Sequence, residues 1–321
     1  MMKRIPALLF LIVPLLTTLS ASATDATVQK LAAGRINDVI TELNSRLSAS
    51  PSDAQSANLL CRAYFALEDY DRAEAACKKA ISLEPNNARF HRWLGRVYGE
   101  KADRAGFLSA ASLARKTRDE FERAVQLNPN DVDARVDLAE FYFEAPGIVG
   151  GGHDKARAQA KLIGATDPAR EHWVYGRIAE RNHDAATAEQ EYRQMIEASK
   201  GDSEAWLNLA LFFRNQKRYD EMEKTLLRTS QAPMSKPDVM VDIARNLYRT
   251  GRNLTFAIQT LKRYLTSGPV EEAPAFKAHY LLGMLLEKQG DKAGAVQAYR
   301  NSLALAPQYR VAQQALERVA R

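Results

Sequence analysis

Residues 58–85 read NLLCRAYFALEDYDRAEAACKKAISLEP, and residues 278–307 read AHYLLGMLLEKQGDKAGAVQAYRNSLALAP. Aligned on their final prolines, Pro85 and Pro307, the two segments keep the same offsets. Leu60-Cys61 falls on Leu282-Gly283, Tyr64 on Leu286, Ala73 on Ala295, Cys77 on Tyr299 and Ala80 on Ser302. Similarity at fixed offsets marks a repeat architecture. Within each segment apolar residues return at three- and four-residue steps, as in a helix with one buried stripe. Each segment therefore predicts two helices joined by a short turn. The proline ends the second helix, because it can neither donate the next hydrogen bond nor fit the next turn.

Proline sets the period along the chain. Pro51 and Pro85, 34 residues apart, end RLSASP and AISLEP, and Pro129, Pro168 and Pro307 end AVQLNP, IGATDP and SLALAP. Leu94-Gly95, Leu138-Ala139, Gly176, Leu209-Ala210 and Ile243-Ala244 occupy the small-residue position in the intervening units. This pattern resembles the tetratricopeptide repeat, a 34-residue helix–turn–helix unit with the signature W-x2-L-G-x2-Y…A-x3-F…P. Several units depart from it, with Lys200 where proline belongs and Met222 where a small residue is usual. The resemblance covers nearly the whole chain: a half repeat over 27–51, seven repeats over about 54–308 and a capping helix over 309–321. It implies an all-α, right-handed solenoid. It also implies a non-catalytic scaffold that binds a protein partner and takes no cofactor.

Two units are enlarged. The Tyr-to-Phe spacing is 13 residues in regular units, 18 from Tyr142 to Ala160 and 23 from Tyr98 to Phe121. The extra residues fall in the turn between the two helices of each unit. The third unit's turn lies in APGIVGGGHDKARAQA, Ala145–Ala160, which half-matches a phosphate-binding loop through Gly147 and Gly152. The lysine and the Ser/Thr that should follow are His153 and Asp154, and an aspartate there would repel phosphates. No clear strand precedes it. The stretch reads instead as an enlarged turn. Pro146 stops the first helix, the glycines supply positive φ, and Asp154 is placed to cap the second. Turns of neighbouring repeats share one edge of a solenoid. Phe107 and Leu108 are therefore expected beside Ile148 and Val149, forming an apolar knob.

The first residues, MMKRIPALLFLIVPLLTTLSASA, order a basic start, a short apolar run and the small residues Ala21-Ser22-Ala23. This is the pattern of a secretory leader over 1–23, with cleavage after Ala23 and a soluble periplasmic product. Without Lys3 and Arg4 the chain holds 43 basic against 39 acidic residues, a net charge of +4 rather than +6. That mild balance does not point to nucleic acid. No later apolar run approaches membrane length.

Catalytic and metal signatures are missing from the sequence. It has neither HExxH nor GxSxG, and its five histidines are scattered. Glu271-Glu272 reads as solvated surface. Cys61 and Cys77 are 16 residues apart, neither a metal nor a thioredoxin spacing. They fall on packing positions of one unit, as a disulfide in an oxidising compartment or as two buried thiols.

The family resemblance implies that the residue after the small one faces a concave groove. In the seven units it is Arg62, Arg96, Glu140, Arg177, Leu211, Arg245 and Met284. Arg92, Phe143, Trp173, Arg214 and Tyr248 stand one turn away on the same face. The plain reading is a solvated arginine-rich surface. The sharper one is a groove for an acidic or extended protein segment, in which guanidinium forks take carboxylates. The alternative ligand is an acidic glycan of polysaccharide or cell-wall machinery.

Overall fold

Seven aspartates place helix starts. Asp53, Asp69, Asp131, Asp167, Asp184, Asp202 and Asp291 sit at N-caps, and each carboxylate accepts a hydrogen bond from a backbone N–H two or three residues on. Each satisfies a donor that the helix itself leaves unpaired. A computed structural model describes residues 26–320, and the expected leader over 1–23 lies outside them.

Among the described residues the regular structure is helical. A stretch over 26–32 (α1) leads into α2 (Ile36–Ala49). Seven antiparallel pairs follow. They are α3 (Ala54–Ala66) with α4 (Tyr70–Leu83), α5 (Ala88–Arg104) with α6 (Phe107–Leu127), and α7 (Val132–Glu144) with α8 (His153–Gly164). Then come α9 (Pro168–Arg181) with α10 (Ala185–Ala198), α11 (Ser203–Asn215) with α12 (Tyr219–Gln231), and α13 (Val239–Thr250) with α14 (Leu254–Ser267). The last pair is α15 (Ala275–Gln289) with α16 (Lys292–Leu305), and α17 (Arg310–Val319) closes the chain. The pairs stack as an all-α, right-handed solenoid.

The small position of the first helix is explained by what faces it. A Cβ on Gly95 would stand 2.5 Å from the Phe121 ring, one on Gly176 2.9 Å from Tyr192, and one on Gly283 2.4 Å from Tyr299. An aromatic ring of the second helix thus occupies the space a side chain would need. In the first pair Cys61 and Cys77 take these two positions and are joined as a disulfide, both 0% exposed. The bond spans 16 residues, so replacing both by alanine should cost about 3 kcal/mol through the freed loop entropy. Urea unfolding measures this. An unchanged midpoint would show that the bond contributes nothing to stability.

His91, 8% exposed, stands where the repeat signature has tryptophan. Its Nδ1 lies 2.6 Å from Glu120 Oε2 and its Nε2 2.9 Å from the Pro85 carbonyl. Both neighbours accept, so the doubly protonated ring suits the site. The Glu120 hydrogen bond, followed by the Pro85 carbonyl, outweighs burial and raises the His91 pKa. The stabilisation is full below the ordinary histidine value of about 6.5 and is lost as pH rises through the raised folded value. Wild-type stability should therefore fall between pH 6 and 9 more steeply than that of His91→Gln. Parallel curves would refute this.

The solenoid closes on itself. Phe276, at the start of α15, is 0% exposed and packs in one cluster with Leu31, Ile36, Val39 and Leu43 of the chain's first turns. A Cβ on Gly34 would lie 2.8 Å from the Phe276 backbone nitrogen. Tyr309 stacks edge-on against Phe276 at 4.9 Å. Around this seam Gln308 donates to Asn37 at 2.9 Å, and Lys277 pairs with Glu68 at 3.3 Å. Arg62 is bound by Glu271 from 209 positions away. In a plain solenoid each repeat touches only its neighbours; here the last repeat and α17 also dock on the first.

Candidate functional site: the concave face and the inserted edge

The first helices of the pairs line the concave side, and the closed curvature brings their polar residues together. Arg62, 4% exposed, is held by both carboxylate oxygens of Glu271, with 2.7 Å to its Nε. Arg92 and Arg96 converge on Asp137, with Nε distances of 2.7 and 2.8 Å. Arg177 reaches Glu144 at 2.7 Å, and Arg245 pairs with Asp242 three residues earlier on its own helix. The expectation of a solvated arginine row is therefore corrected. These guanidinium groups already hold carboxylates of this chain: Arg92 and Arg96 one on the next first helix, Arg177 one on the preceding first helix, Arg62 one on the segment before α15 and Arg245 one on its own helix. Glu271 is likewise no solvated residue: 14% of its side chain is exposed. Phe143, expected on the groove face, is buried at 2% and packs edge-on against Trp173 at 5.7 Å.

Glu140 stands exposed beside this cluster. It touches water, yet burial and then the Asp137 charge raise its pKa. Burial likewise raises that of Asp242.

At one part of the concave face an arginine bonds to amides rather than carboxylates, with Glu180 and Asp242 nearby. Arg214 donates to the side-chain amide oxygens of Asn246 and, at 3.0 Å, Asn215, not to a carboxylate. Burial lowers its pKa, and the neighbouring Arg249 charge lowers it further. Arg249 is exposed and makes no ion pair among the described residues. Trp173, half-buried, donates from its indole N–H to Asn208 at 3.0 Å, one repeat before this pole, and Tyr248 is half-buried beside it in sequence. The arginine spacing made Arg214 and Tyr248 legible. Arg249 and the asparagines that stand in for acids carry no signature in one sequence.

The inserted edge is partly as expected. The second unit's inserted residues lengthen α5 and α6 rather than the turn, which is only Ala105-Gly106, and it is helix α6 that meets the third unit's turn, with Arg118 donating to the Val149 carbonyl at 3.2 Å. Val149 is buried at 5% with Ala111 and Ala114 against its cluster. Phe107, Leu108 and Ile148 form no sheltered knob: they are 88%, 84% and 87% exposed. Small alanines fill the contact between α6 and that turn, so the large side chains project outward. Asp154 does not cap α8 either. It lies inside the first turn and pairs with Arg157 at 2.8 Å, while Gly152 is the N-cap.

The glycine loop spends its amides on itself. Gly150 N–H bonds Gly147 O at 2.9 Å, Gly151 N–H bonds Pro146 O at 3.2 Å, and Gly152 N–H bonds Tyr142 O at 2.8 Å. A phosphate cradle needs such groups directed at the ligand. Gly151 is fixed by space, since a Cβ there would come within 1.8 Å of the Ala145 carbonyl oxygen. Among the described residues no group of three or more His, Cys, Asp or Glu could hold a metal ion.

Family models of the TPR repeat match residues 62–101, and those of the tetratricopeptide repeat match 173–232 and 276–309. The chain is a tetratricopeptide-repeat protein. No curated protein sequence matches it. The fold is similar to that of yeast Tom70, at 15% identity and TM-score 0.54 over 89% of this chain and 58% of that one. The protein thus spans little over half of Tom70's solved chain. TTC0263, a thermophilic TPR protein of Thermus thermophilus, aligns at 17% identity and TM-score 0.50, over 60% of this chain and 98% of that one. The type IV pilus biogenesis factor PilW aligns at 14% identity and TM-score 0.50, over 65% and 93%. These likenesses establish the shared solenoid fold. Tetratricopeptide repeats are typically protein-interaction modules, and among the described residues no helix is long and apolar enough to cross a membrane.

Proposed function

We propose that this tetratricopeptide-repeat protein is an exported, non-catalytic scaffold of the periplasm. Its concave face holds an extended, acid-bearing segment of a protein partner. The observation that carries the reading is the pair Arg214 and Arg249, of which the first bonds only to asparagine amides and neither makes a direct ion pair among the described residues, although Glu180 and Asp242 stand near. A partner carboxylate reaching this pole gains charge-assisted hydrogen bonds without displacing an ion pair. Trp173 on α9 and Tyr248 on α13 add half-buried aromatic surface. The leader-like first 23 residues support export. Charge pairing over the remaining face disfavours an acidic glycan, which would need many unpaired cations in a row.

A photo-crosslinking residue at Tyr248 in cells tests this, with Leu227 on the second helices as control. The expected result is a polypeptide adduct from position 248, weakened several-fold by Arg214→Ala with Arg249→Ala. No adduct, a carbohydrate adduct, or equal crosslinking from 227 would overturn the reading.

A further inference from the structure

The inserted edge differs from the concave face in both shape and chemistry. Helices α5 and α6 run for 17 and 21 residues, where α7 and α8 run for 13 and 12. At 1.5 Å per residue the two helices are roughly 6 and 13 Å longer than their counterparts, which carries their connecting tip beyond the neighbouring one. Phe107 and Leu108 occupy that tip and Ile148 the adjoining loop, all more than 80% exposed. Folded proteins seldom leave apolar side chains grouped and free in this way unless something covers them. Their side chains stand in solvent.

Charge selects the cover. Residues 99–119 and 145–157, the two insertions with their flanks, hold seven Lys or Arg against four Asp or Glu. Three of those acids are paired, Glu100 with Arg104 at 3.6 Å, Asp119 with Arg118 at 2.6 Å and Asp154 with Arg157 at 2.8 Å, and Lys101 is held by Asp71 and Glu74. Arg115, Lys116 and Lys155 are exposed and make no ion pair among the described residues. Projecting apolar side chains with a surrounding surplus of cations suit the boundary of an anionic bilayer. There the chains enter the acyl region and the cations stay with the phosphates. A protein interface would ask instead for flat or concave apolar surface packed to interior density.

We propose that the inserted edge is a peripheral membrane-docking site, with Phe107, Leu108 and Ile148 entering an anionic lipid surface and Arg115, Lys116 and Lys155 pairing with its headgroups. This places the concave face, with its partner, at a membrane without any spanning segment. It does not depend on what the concave face binds.

The protein offers a clean probe, since its two cysteines are joined to each other and none is free. A polarity-sensitive fluorophore on Leu108→Cys is mixed with vesicles of phosphatidylcholine alone or containing a third phosphatidylglycerol. The control is the same label on Leu162→Cys, at a residue 52% exposed on α8. The expected result is a blue shift at 108 with anionic vesicles, absent at 162. It should fall several-fold in high salt and disappear in Arg115→Glu with Lys116→Glu. Thermal stability of these variants should match the parent, because the altered residues are exposed. No shift at 108, or equal shifts at 108 and 162, overturns the proposal. So does a shift that depends on protein concentration without lipid, which would make the edge a contact between copies.

Discussion

Replacing Phe276 with alanine is expected to destabilise the protein by about 4 kcal/mol and to loosen both ends of the chain together. The ring is 0% exposed and sits between α15, Tyr309 and the first turns around Gly34. Its loss opens a cavity whose walls belong to opposite ends of the sequence. In an open solenoid a terminal mutation is felt by one neighbouring repeat. Here hydrogen exchange should quicken in α2 and α3 as well as in α15 to α17. Phe212→Ala, equally buried but in the middle of the stack, should leave α2 and α3 unchanged. Exchange confined to α15–α17 in the Phe276 variant would show that the closure adds little to the N-terminal end.

The difference between what was legible and what was not follows from range. Periodicity is local, so the pairing of helices and the glycine–aromatic contacts of Gly95 with Phe121 or Gly283 with Tyr299 could be read from spacing. The site of insertion could also be read, because Tyr142 and Ala160 stand five residues too far apart. Closure is a property of accumulated rotation over seven units. No residue pattern announces that Glu271 will meet Arg62, and the pair Glu271-Glu272 looks like any solvated acidic step. The same long-range curvature decides that Arg92 and Arg96 share Asp137. Sequence spacing put the arginines on one face correctly, but not the acids beside them, so an unoccupied anion groove was the natural and incomplete expectation. Position 107 failed for a different reason. Two insertions on one edge do touch, yet alanines at 111 and 114 fill the contact, and the large apolar residues are left over.

The ion pair across the seam should behave differently from the closure's apolar part. Arg62 is 3% exposed on its side chain and Glu271 14%. Arg62 is also covered by Trp93, whose ring lies 5.5 Å from the guanidinium. The segment carrying Glu271 is pinned independently, since Tyr264 Oη donates to Ala273 O at 2.6 Å and accepts from the Val270 N–H at 2.9 Å. Removing one partner therefore leaves a charge that cannot move away to water. Arg62→Met or Glu271→Met alone should cost about 3 kcal/mol. Arg62→Met with Glu271→Met should return to within about 1 kcal/mol of wild type, because desolvating two charges nearly cancels their attraction. Arg62 Nη1 already lacks a partner, which raises the cost of keeping the pair and favours this outcome. Chemical denaturation of the four proteins measures the coupling. A double variant about as destabilised as either single one would mean the pair stabilises the closure in its own right, and additive losses would mean the two residues are not coupled. Near-complete recovery would mean that Phe276 and Tyr309 close the ring and the ion pair sets only which residues may meet there.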